Sequence, residues 1–164
     1  MFGRIINKLK RKATTATDGV LASTEQEKVE AMMAASVLVA YDDGELADIE
    51  IDKVVAVVNS TEELEQMGEE PLVIFDQYCD LVEASPRRAK LDLMAKLEPM
   101  KDDPTSARHV MFLAIDVAEA SEEEDSDNVA EINILKEIAR AMDIKLSDYI
   151  NTRGTSPGRA SSRA

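Results

Sequence analysis

Eighteen residues of this chain concentrate groups that can do chemistry. An apolar, small-residue run ending Val37-Leu38-Val39-Ala40 leads into Tyr41-Asp42-Asp43-Gly44-Glu45-Leu46-Ala47-Asp48-Ile49-Glu50-Ile51. Asp42, Asp43, Glu45, Asp48 and Glu50 crowd one short connection. Carboxylates at that density repel one another unless a positive charge sits among them. Hard oxygen donors beside a glycine turn point to a divalent cation, calcium or magnesium in preference to zinc. With Gly44 as the loop glycine of an EF-hand, Glu50 takes the closing bidentate position, but the first and third ligand positions fall on Val39 and Tyr41. Neither can serve, so a standard EF-hand is excluded. The alternative role for these acids is ordinary: at a helix start they cap free amides and offset the macrodipole.

A second acidic stretch repeats the layout. Ile115-Asp116-Val117-Ala118 leads into Ser121 to Asp127, and Glu131-Ile132-Asn133-Ile134-Leu135 follows it. Val39-Ala40 match Val117-Ala118 at an offset of 78, whereas Glu50-Ile51 match Glu131-Ile132 at 81. The two offsets imply a three-residue insertion in the second loop of a degenerate duplication. The candidate ligands are Asp42, Asp43, Asp48 and Glu50 from the first loop, with Glu124, Asp127 and Glu131 from the second.

Other chemical groups carry less. His109 is the only histidine and has no placed Ser or Cys partner, so it reads as structural. Cys79 lies in an apolar stripe and reads as core. There is no glycine-rich phosphate loop and no metal-type Cys/His spacing, so the expectation is a protein without an active site.

Helices must position the acidic loops. Gly44 supplies the turn, and Asp48 is placed to cap the following helix. Thr24-Glu25-Gln26-Glu27 and Ser60-Thr61-Glu62-Glu63 both fit capping boxes. Pro71, Ser85-Pro86 and Asp103-Pro104 each open a further helix. The expected inward faces are Leu72, Phe75, Tyr78, Cys79 and Val82, then Ala89, Leu91, Leu93, Met94 and Leu97. Val110 to Ala118 is apolar almost all round and is expected at the centre. The next helix should bury Val129, Ile132, Leu135, Ile138 and Ala139, and Leu146 to Ile150 forms a closing turn. No stretch sustains period-two alternation. The fold class is all-α, a single helical domain of about seven helices built from two pseudo-repeated helix–acidic loop–helix halves.

Composition agrees. The chain has 164 residues, 45% of them hydrophobic but only 4% aromatic, with 8 Met and no Trp, so its core is aliphatic. A net charge of −14 hides strong segregation. Residues 1–12 and 151–164 hold bases and no acids, leaving 33 acids against 11 bases between them, a body of −22. Such a body argues against nucleic acid and suits cations or a basic partner. Residues 1–23 read as a basic amphipathic arm and linker, 24–150 as the helical domain, and 151–164 as a disordered basic tail. In the arm, Phe2, Ile5, Ile6 and Leu9 fall at helical spacing among Lys and Arg, a pattern that suits the surface of an anionic membrane or, alternatively, a frayed arm or a helix docked on the acidic body. A lone cysteine, no membrane-spanning apolar run and no secretory leader lead to the expectation of a cytoplasmic protein.

Three stretches together resemble one family. Ala40-Tyr41-Asp42-Asp43-Gly44 with Glu50, then Asn59-Ser60-Thr61-Glu62-Glu63-Leu64, then Leu135-Lys136-Glu137-Ile138-Ala139-Arg140-Ala141-Met142 are similar to segments of the TerB-like tellurite-resistance family, in order, over about residues 25–150. The resemblance implies two related helical halves and acidic residues gathered as a metal site. It further implies a non-enzymatic role in tellurite resistance and stress response beside a TerC-type membrane protein, peripheral to the inner membrane. The chain departs from the family where Ser121-Glu122-Glu123-Glu124-Asp125 replaces a second Asp-Gly. The alternative is an acidic protein–protein interaction module with no metal requirement. Oligomeric state has no signature here.

Overall fold

The computed structural model describes the backbone of residues 23–42, 48–121 and 129–150, and the side chains of 25–42, 51–120 and 132–150. The expected basic arm, most of the linker and the C-terminal tail lie outside these residues.

Good helix formers between proline and glycine punctuation yield seven α-helices among the described residues, and no strand. They are α1 (Ser23–Ala40), α2 (Asp48–Asn59), α3 (Glu62–Glu65), α4 (Glu70–Ala84), α5 (Pro86–Ala95), α6 (Pro104–Ser121) and α7 (Val129–Ala141), with 3-10 turns at Glu98–Asp102 and Leu146–Asp148. The domain is all-α. None of these helices is long and apolar enough to cross a membrane.

The centre is α1 rather than α6. Every residue from Ala31 to Ala40 is buried, Ser36 included, whose hydroxyl returns to the Met32 carbonyl at 2.9 Å. Small side chains at Ala31, Ala34 and Ala35 leave no bulk between backbones, so α1 is wrapped by α6 and α4 and touched by α2, α5 and α7. Helix α6 is its main partner but keeps a wet side, with Phe112 47% exposed.

Two positions expected inward face out. Leu91 is 73% exposed and Ile132 38%. On α5 the buried residues are Ala89 and Leu93, and Leu97 just past its end continues the steps of four. Leu91 stands two residues from Ala89 and Leu93, about 200° round the helix, and a helix cannot bury both directions against one neighbour.

Helix ends follow the chemistry unevenly. The box expected at Ser60–Glu63 does not form: both hydroxyls turn back to the Val57 carbonyl, Thr61 Oγ1 at 2.8 Å and Ser60 Oγ at 3.0 Å, and close α2 instead of opening α3. Gly68, at φ +64°, makes the left-handed step before α4.

Asp103 does cap α6. It accepts the Ser106 hydroxyl at 2.7 Å and the Ser106 amide at 3.1 Å, and these bonds hold its carboxyl below the usual range. A lowered folded value means the contribution is complete above the unfolded-chain value near ~4 and is lost as pH falls through the folded one. Asp103→Ala should therefore cost about 1 kcal/mol at pH 7, and the gap to the parent should narrow below pH ~4. Urea denaturation at both pH values checks this.

Candidate functional site

The first acidic loop starts from a pinned point. The Tyr41 amide closes on the Val37 carbonyl at 3.0 Å, and the Asp42 amide on Val39 at 3.2 Å, tightening the last turn of α1. The Tyr41 hydroxyl donates to Glu83 Oε2 at 3.0 Å, tying the loop mouth to the end of α4. Burial pushes the Tyr41 phenol up, with the nearby Cys79 and Glu83 adding to it. Asp42 is half-buried, and its Oδ2 is screened from solvent. None of this contact was legible locally, because Tyr41 and Glu83 stand 42 residues apart.

The remaining expected ligands divide into two groups. Asp48 and Glu50 lie in the first turn of α2 and Glu131 in the first turn of α7, all with backbone positions only. Asp43, Glu124 and Asp127 fall outside the described residues. Among the described residues no group of three or more His, Cys, Asp or Glu is placed to hold a metal ion.

The helix bounds give one spacing for the two helix–acidic connection–helix stretches. Helices α1 and α6 are each 18 residues long, and α6 starts 81 after α1, at Pro104 against Ser23. Helix α7 starts 81 after α2, at Val129 against Asp48. Both connections, 41–47 and 122–128, therefore span seven residues, and the three-residue insertion has no place. At 81, Val29 pairs with Val110, Met32 with Leu113, Val54 with Leu135 and Val58 with Ala139, all buried. Glu50 and Glu131 then occupy the same third position of their helices, and Asp42 and Asp43 align with Glu123 and Glu124. Asp48 and Asp127 align with Val129 and Leu46 and have no acidic counterparts.

His109 has a structural setting that joins distant parts of the chain. Its Nδ1 accepts from Lys28 Nζ at 2.6 Å, and Lys28 is its counterpart at the same offset of 81. Its Nε2 faces Glu63 Oε2 on α3 at 3.6 Å. A lysine donating to Nδ1 places the ring hydrogen on Nε2, toward the carboxylate. Both ring nitrogens thus face charged protein groups, and the residue joins α1, α3 and α6.

Cys79 is fully buried, and burial pushes its thiol up, with Asp76, Glu83 and Asp80 adding to the shift against the lowering hydrogen bond from Tyr41. The reactive thiolate is suppressed. Iodoacetamide should label native Cys79 roughly a hundredfold or more slower than the urea-unfolded chain, because access requires opening of the core. Labelling at the rate of a free thiol would contradict this placement.

No family model, curated protein or solved structure matches the chain.

Proposed function

We propose that this protein is a non-enzymatic, divalent-cation-binding helical scaffold of the TerB-like type, acting in tellurite resistance or a related stress response. The observation that carries the proposal is the equal spacing of the two helix–acidic connection–helix units. Seven residues separate the helices in each, and Glu50 and Glu131 stand at the same helical position. At that spacing the matched donors are Asp42, Asp43 and Glu50 in one half and Glu123, Glu124 and Glu131 in the other. Carboxylate oxygens alone select calcium or magnesium over softer ions. The bound cation would supply the charge that lets these acids approach one another, and the scaffold would present that state to a partner. A membrane-embedded partner of the TerC type and a cytoplasmic position at the inner membrane surface fit the basic amphipathic segment 2–12.

The test is a thermal melt of the chelator-treated full chain, titrated separately with calcium, magnesium, manganese and zinc. A ligand bound only by the native state at 100 times its Kd stabilises by about 2.7 kcal/mol, or roughly 5–10 °C for a domain of this size. A saturable rise for one ion supports the site. A small rise shared by every divalent ion means screening of the −22 body, and an acidic module for a basic protein partner takes its place.

A further inference from the structure

Helix α5 and the turn after it break the charge pattern of residues 13–150. Residues 86–101 hold Arg87, Arg88, Lys90, Lys96 and Lys101 against Asp92 and Glu98 only. The rest of residues 13–150 carries six bases against 31 acids. Two of the five bases are used internally: Lys90 pairs with Glu137 on α7, and Lys96 with Glu30 on α1, both at 3.1 Å. Arg87 and Arg88 are exposed and make no ion pair among the described residues. One turn further along the same face stands Leu91, at 73% the most exposed of the large apolar side chains described.

We infer that the outward face of α5, formed by Arg87, Arg88 and Leu91, is a docking surface for a short acidic amphipathic helix of a partner protein. Two guanidinium forks beside an apolar side chain are the complement of a helix that sets Leu or Phe among Asp and Glu. A bare phosphate would leave Leu91 unused. A membrane or a nucleic-acid duplex presents negative charge over tens of ångströms and would meet the acidic remainder of the body as well as this face. A single helix, about 10 Å across, feels chiefly what lies within a Debye length, about 8 Å at physiological salt. Phe112, the next most exposed of the large apolar side chains described, is partly spoken for: it meets Tyr149 edge-on with centroids 5.5 Å apart.

The experiment measures fluorescence anisotropy of a labelled synthetic helix with Leu on one face and Glu on the other, titrated with the full chain. Saturable binding is expected, at least tenfold weaker for Leu91→Ser and for Arg87→Glu with Arg88→Glu, and weaker for the parent as salt rises. The same helix with Ser replacing Leu should bind at least tenfold more weakly. All three positions are exposed, so the melts of the variants should superimpose on the parent's, and the milder Arg88→Gln serves if the charge reversal perturbs folding. Absence of saturable binding overturns the proposal, as does equal binding by the variants. Sedimentation of the parent with anionic vesicles, lost in Leu91→Ser, would assign the face to a membrane instead. Self-association lost in that variant would assign it to a second copy.

Discussion

Leu113→Ala is expected to cost more stability than Phe112→Ala, although Phe112 is the larger apolar residue and the two are neighbours on α6. Leu113 is 1% exposed, inside the layer between α6 and the central helix. Truncating it removes transfer free energy and leaves a cavity that rigid neighbours fill only in part, so the loss should be about 2–5 kcal/mol. For a domain of this size that is a fall in Tm of roughly 5–15 °C. Phe112 is 47% exposed, and its main described partner is the Tyr149 ring, so its removal should cost only about 1 kcal/mol. Thermal melts of the two variants decide the matter. The reverse order would mean that α6 is rotated about its axis from the placement described here.

The second large effect concerns the cation. Asp43→Asn with Glu50→Gln keeps shape and helix propensity while removing two negative donors. The cation-dependent rise in Tm should fall by at least half, while far-UV circular dichroism without added ion stays that of the parent. Removing charge from a crowded acidic segment should, if anything, raise the ion-free Tm, since it relieves repulsion. Glu124→Gln with Glu131→Gln makes the same change in the other acidic connection, at the offset of 81 between helix starts. An equivalent second site predicts that each double variant halves the binding stoichiometry measured by calorimetry. A single shared site predicts that either abolishes it. A parent-like response in both would remove the acidic connections from the function altogether.

Much was legible in the chain because the deciding forces are local or periodic. Aliphatic residues at helical spacing, Pro71, Pro86 and Pro104 near helix starts, and Asp103 before α6 led to seven helices, all-α, close to their observed bounds. The first acidic stretch was legible too, as composition: five acids within nine residues, from the end of α1 into the first turn of α2, need no coordinates to be noticed. Tertiary structure decided whatever depends on which face meets a neighbour. The stripe Ala89, Leu93, Leu97 turned Leu91 outward, a choice that an equally apolar side chain cannot announce. Burial of the Ala31–Ala40 part of α1 on every side rests on the closeness that Ala31, Ala34 and Ala35 permit, and propensity alone makes them merely good helix formers. The equal spacing of the two helix–connection–helix stretches needed helix ends as well as letters, because Val and Ala recur too often to fix an offset. The partners Tyr41–Glu83 and Lys28–His109 stand 42 and 81 residues apart, and only packing of the helices brings such side chains within hydrogen-bonding distance.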